Sequence, residues 1–111
     1  MEVTPYLVIE YFYPKQEHFD EVLKMLTESS EMIKEQDGLL MHLILKPEQK
    51  NGPVTAIGLW KSREKFTGFV KSEHAQKIMK TGMGEKMKSL TTDIKAGLYT
   101  VAHGWHAASH D

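Results

Sequence analysis

The stretch Tyr6 to Tyr13 (Tyr-Leu-Val-Ile-Glu-Tyr-Phe-Tyr) is apolar or aromatic at nearly every position, not at alternate ones, and it stops at Pro14. That pattern predicts a strand covered on both faces. Phe19, Val22, Leu23, Leu26 and Ile33 then recur at three-and-four spacing, which predicts an amphipathic helix from about Lys15 to Gln36, ended by Asp37-Gly38. Leu39 to Leu45 is a second apolar strand, and Val54 to Leu59 a third, closed by Trp60. The polar loop from Pro47 to Pro53, with Asn51-Gly52 inside it, makes these two an antiparallel pair.

Beyond Trp60 the periodicity turns helical again. Ser62 is placed to cap a short helix carrying Phe66, Phe69 and Val70, and Ser72 to cap another carrying Ala75, Ile78 and Met79. Gly82 and Gly84 are expected to interrupt that helix, and a polar connection leads to a last strand over Gly97 to Trp105. The resulting order, β-α-β-β-α-β, is the ferredoxin-like pattern of an α+β fold with an antiparallel sheet. Helices cover one side of such a sheet. Since the first two strands are apolar on both faces, the other side needs a second copy of the chain, and a homodimer is expected.

Composition narrows the function. A chain of 111 residues fits one domain that buries roughly two thirds of its unfolded surface, with a core over about residues 6–105 and a tail over 106–111. With 14 basic and 15 acidic residues the net charge is -1, so nucleic-acid binding has no electrostatic support. Lys71, Lys77, Lys80, Lys86 and Lys88 cluster but are interrupted by Glu73 and Glu85, as on a solvated helix face. The absence of cysteine removes disulfides, thiolate metal sites and a cysteine nucleophile. No apolar run approaches the ~20 residues of a membrane span and the start has no basic-then-apolar leader, so no membrane association and a cytoplasmic location are expected. Gly82-Met83-Gly84 lacks the strand and third glycine of a dinucleotide fingerprint.

Chemistry concentrates in a few side chains. A strand ending in Trp60, followed some fourteen positions on by His74, suits the wall of a small-molecule pocket. Glu10 lies among apolar neighbours, where an unpaired carboxylate is costly; it is either a base of raised pKa or an interface glutamate paired with a cation. His74, at a helix N-terminus where imidazolium is disfavoured, is either a neutral base or a brace for the helix start. Trp60, Phe66, Phe69 and Met79 are pocket walls or ordinary core, and His42 enters a cavity or sits satisfied in the core. His103, His106 and His110 hint at a metal, but the first two, three apart on a strand, face opposite ways, and no metal site is expected.

Asp37-Gly38 after the first helix, Trp60-Lys61-Ser62 closing the third strand and Ser72-Glu73-His74 opening the later helix give the chain its resemblance to the antibiotic biosynthesis monooxygenase family, from Tyr6 to Trp105. Phe69 stands where many members have histidine. The resemblance implies a dimeric α+β barrel and a cofactor-independent monooxygenase that oxidises a small apolar, aromatic or quinol-like ligand with dioxygen, with Glu10 or His74 as base. The family also contains haem-degrading enzymes, whose asparagine, tryptophan and iron-ligating histidine align with Glu10, Phe69 and Met79 here. All three differ, which ranks haem binding or haem degradation second. A non-catalytic ligand-binding module on the same scaffold is the third reading.

Overall fold

The computed structural model describes residues 4–107. Four strands, β1 (Tyr6–Pro14), β2 (Leu39–Leu45), β3 (Val54–Trp60) and β4 (Thr91–Thr100), form one sheet in the order β2-β3-β1-β4. All pairings are antiparallel, with Glu10 opposite both Ala56 and Ala96, and Ala56 opposite Ile44. This is the expected ferredoxin-like α+β arrangement. Helices α1 (Phe19–Met32), α2 (Arg63–Val70), α3 (Glu73–Met79) and α4 (Met83–Leu90) complete it. Among the described residues no helix is long and apolar enough to cross a membrane.

Three parts of the chain depart from the sequence-based expectation. The first helix opens with a 3-10 turn at Gln16–His18 and ends at Met32, four residues early, in a tight turn where Gln36 N–H donates to Ile33 O at 3.2 Å. Gly84 does not break the chain but lies inside α4, while Gly82, in the left-handed region at φ 81°, turns the chain into it. That conformation costs glycine nothing. The last strand begins six residues before Gly97 and ends at Thr100, because the polar Thr92, Asp93 and Lys95 sit exposed on a sheet edge where pairing with β1 needs no apolar side chain. His103 and His106 therefore follow the strand instead of lying on it, and His110 falls outside the described residues. Among the described residues no three metal-binding side chains cluster.

One end of the helix-covered face is solid. Phe12, Val54 and Ala56 from the sheet meet Val22, Met25 and Leu26 of α1 and Met87 and Leu90 of α4, with Val22 and Val54 fully enclosed. Thr91 locks the α4–β4 junction by donating its hydroxyl to Met87 O at 2.9 Å. At the other end α2 and α3 lie over the sheet, positioned by the two expected caps: Ser62 Oγ accepts from Lys65 N and Ser72 Oγ from Ala75 N, each at 3.2 Å. Gly38 (φ 86°) lets the backbone pass beneath Lys65, whose side chain would collide with any Cβ there, and its carbonyl accepts from Lys61 N at 2.7 Å. Above this, Lys65 Nζ meets Asp37 Oδ2 at 2.6 Å, an exposed pair that lowers the Asp37 pKa by hydrogen bond and charge.

The opposite face of the sheet is apolar and open. Leu7, Ile9, Ile57 and Leu59 occupy its centre and Met41, Leu43 and Leu45 its β2 side, the last three each more than 40 % exposed in the single chain. Tyr99, on β4, lies over Gly97, where a Cβ would come within 2.7 Å of the ring. Apart from Thr55 and Lys95, which flank Tyr11, the centre of this face is apolar, and exposed apolar surface of this kind marks an interaction surface.

Candidate functional site

Where α2 and α3 cross the sheet, the packing opens into a cavity of about 250 Å3. Its floor is the helix-facing side of β1, β3 and β2, contributing Glu10, Ala56, His42 and Ile44. Leu26, Ser29 and Ile33 of α1 and its following turn form one wall, and Phe69, Val70, Ala75, Ile78 and Met79 of α2 and α3 the roof. A smaller chamber of about 100 Å3 adjoins it, sharing Glu10, Ile33, His42, Ala56 and Phe69 and adding Val8, Gly58, Trp60 and Phe66. The space exists because the central strand carries its smallest residues here. A Cβ on Gly58 would lie 3.3 Å from Trp60 Nε1 and 3.4 Å from His42 Cδ2.

Aromatic packing fixes the wall of the smaller chamber. The Trp60 indole is 3 % exposed and stacks at 5.3 Å on Phe69 and edge-on at 5.6 Å on Phe66, which also meets Tyr6 at 5.7 Å. Trp60 is thus a buried core residue that also borders the smaller chamber. Met79 lies at the mouth and is 59 % exposed.

Two polar side chains share the floor of both chambers. Glu10 has no hydrogen-bond or ion-pair partner among the described residues, and burial raises its pKa above the ordinary 4.5. Within the single chain no lysine or histidine of the described residues pairs with it. His42 shares a 2.6 Å hydrogen bond between Nδ1 and Ser30 Oγ, and burial lowers its pKa, so the ring is neutral near pH 7. Among the described residues no side-chain polar atom is both sealed from water and unpaired. The Glu10 oxygens must therefore be reached from the cavity space. A carboxylate in this setting is a stronger base than one in water and sits beside apolar walls suited to a flat ring.

His74 is not part of this site. It is exposed on the outside of α3, and its Nε2–H donates to Met32 O at 2.6 Å, tying α3 to the end of α1. Of the residues singled out from sequence, Glu10, His42, Trp60, Phe66, Phe69 and Met79 come together, whereas His74 acts as the brace. Ser30 was missed: it is one of several hydroxyls on α1, and no sequence signal marks which one meets a histidine twelve residues away.

The donor set does not suit haem. The lining offers one imidazole, engaged with Ser30, and one thioether at the mouth, and an unpaired carboxylate on the floor would face an already anionic macrocycle.

A family model for antibiotic biosynthesis monooxygenases matches residues 5–81, the part that contains the whole cavity. No curated protein matches the sequence. Among solved structures, the fold is similar to that of a Deinococcus radiodurans protein provisionally assigned to the same family (15 % identity, 94 % of this chain and 99 % of that one, TM-score 0.75). It is also similar to a dimeric ferredoxin-like protein from an uncultured marine organism (17 % identity, 96 % and 95 %, TM-score 0.71). A variant of SnoaB, a cofactor-independent oxygenase from Streptomyces nogalater, aligns at 17 % identity over 91 % and 95 % with a TM-score of 0.64. At these identities the likeness is one of fold.

Proposed function

The chain belongs to the antibiotic biosynthesis monooxygenase family, and from that membership we propose that it oxidises a small electron-rich aromatic, quinol-like compound with dioxygen and without a bound cofactor. The observation that carries the reading is an unpartnered carboxylate, Glu10, on the floor of an otherwise apolar cavity. SnoaB, described as cofactor-independent, supports it. Glu10 takes a proton from a phenol or from the methylene of its keto tautomer, which leaves an electron-rich carbanion or enolate. That anion gives one electron to dioxygen, the two radicals combine into a peroxide, and loss of water leaves a carbonyl. One methylene group and one dioxygen are consumed for each carbonyl and each water formed. Both hydrogens come from the substrate, so no outside reductant is required, and the apolar roof keeps water from the anion.

The working unit in this proposal is a homodimer. Leu43, Ile57, Leu59 and Tyr99 on the open face need a cover, and the dimeric ferredoxin-like relative supports a second copy. Sedimentation is expected to give twice the chain mass. Leu43→Asp is expected to give monomer at micromolar concentration, because burying an unpaired charge costs several kcal/mol.

Oxygen uptake against a panel of quinols tests the chemistry. Uptake equal to product formed is expected, falling at least ~100-fold in Glu10→Gln. Uptake unchanged in that variant overturns the role of Glu10. Aromatic binding without oxygen consumption would leave a non-catalytic binding module, and a Soret shift with stoichiometric haem, lost in Met79→Ala, would transfer the site to haem chemistry.

A further inference from the structure

Glu10 can remove a proton, but an anion formed in an apolar cavity also needs a hydrogen-bond donor, and the lining offers few. Ser29 is committed, since its hydroxyl donates to Leu26 O at 3.0 Å. His42 is not. Its Nδ1 edge faces α1, where Ser30 Oγ lies 2.6 Å away, and its Cδ2 edge lies over Gly58 on the floor of the smaller chamber. Nε2 is bonded to Cδ2, so it lies on the side of the ring turned away from Ser30, and it has no protein partner among the described residues.

Ser30 can select the tautomer. The hydroxyl has no other hydrogen bond among the described residues, so its one proton is free to go to Nδ1. A neutral ring that accepts at Nδ1 carries its hydrogen on Nε2. The sheet register then sets donor against base. His42 pairs with Gly58, which pairs with Val8, while Glu10 pairs with Ala56 one step along. Glu10 and His42 are thus two strands apart and diagonal, roughly 12 Å between Cα atoms by strand spacing, with only Ala56 and Gly58 between them on the floor.

We propose that Ser30 and His42 form a fixed hydrogen-bond donor in the cavity wall, which holds the oxygen of a phenolate or enolate while Glu10 accepts the proton from the far side of the same conjugated system. His42 touches the ligand; Ser30 is a positioning residue that keeps the hydrogen on Nε2. The cavity carries one negative charge before and after the transfer, on the carboxylate first and on the ligand oxygen second, so no charge is brought in from water. This narrows the substrate class of the reading above, on which it rests, to aromatics whose oxygen is conjugated with, and lies across the ring from, the position that loses its proton.

Anaerobic titration with 2-naphthol, whose phenolate band is separate from that of the neutral phenol, tests the donor without the oxygenation step. Wild type is expected to bind the naphthol largely as phenolate. His42→Phe should bind it as neutral phenol, the ionised fraction relative to neutral falling at least about tenfold, as for a lost hydrogen bond to a charged group. Ser30→Ala should lose part of the shift and Ser30→Thr restore it, a rescue that a packing role for His42 does not predict. If His42→Phe does not fold, His42→Gln supplies the comparison, since its amide keeps a donor and should retain more phenolate than Ser30→Ala. Absence of naphthol binding to wild type, or equal ionisation in wild type and His42→Phe, overturns the proposal. The two readings separate on the same samples. Glu10-dependent oxygen uptake with His42-independent ionisation removes the donor and leaves the oxygenase, and the reverse result removes the oxygenase alone.

Discussion

The two ends of the helix-covered sheet face use the same strands and come out opposite. At the end under α1 and α4, Phe12, Val54, Val22 and Leu90 fill the space between sheet and helices. At the end under α2 and α3, the strands carry Glu10, Ala56, Gly58 and His42, and the same separation stays empty at about 250 Å3. Packing density decides which end stabilises the fold and which is free for a ligand. The hollow end also gathers the polar side chains, because only there can an unpaired group still reach a bound molecule.

Truncating an aromatic at each end should give the largest contrast. Phe12→Ala removes a ring that is 7 % exposed in the solid cluster, and urea unfolding is expected to show a loss of about 3–5 kcal/mol. Phe69→Ala borders space that is already empty on one side, so about 1–2 kcal/mol of burial is expected to be lost. Equal costs would mean that the cavity is filled in solution.

Adding bulk should invert the result. Val22→Leu forces a methylene into a site with no accessible surface and should cost about 1–3 kcal/mol. Ala56→Val points two methyl groups into the cavity, and a stability change within about 1 kcal/mol is expected, together with a loss of oxygen uptake or naphthol binding far larger than that change. An Ala56→Val enzyme with full binding would move the ligand elsewhere.

The same contrast explains what could be read from the sequence. The solid end was legible because burial writes itself as pattern: the nearly all-apolar β1 and the three-and-four spacing of Val22 and Leu26. Glu10 was legible for the converse reason, as a charge in an apolar run. The interruption at Gly82 and Gly84 hid α4, since a left-handed N-terminus and a tolerated interior glycine look alike in sequence. The start of β4 was hidden because an edge strand held by backbone pairing needs no apolar alternation. His74 resembled a site residue by motif, but the Met32 carbonyl that claims it lies 42 positions away. Ser30 could be assigned only by the register of β2 against α1.

The smallest effects are the pH dependences, and they pull in opposite directions. Glu10 has its folded pKa raised above 4.5 by burial, so between 4.5 and that raised value the folded chain keeps a proton the unfolded chain has lost. Its contribution is complete below 4.5 and disappears as pH rises through the folded pKa. His42 has its folded pKa lowered below 6.5 by burial, so its contribution is complete above 6.5 and is lost as pH falls through the folded value. Melting temperatures from about pH 4 to 8 should therefore show Glu10→Gln gaining on wild type as pH rises, and His42→Gln gaining on wild type as pH falls. Asp37, lowered by Lys65, acts only below its ordinary 3.8 and leaves this window clear. The proton whose departure from Glu10 weakens the fold is the one whose absence makes it a base. The rise of the oxygenation rate with pH must then coincide with the fall in stability that Glu10→Gln abolishes, and a rate that rises at a different pH assigns the base to another group.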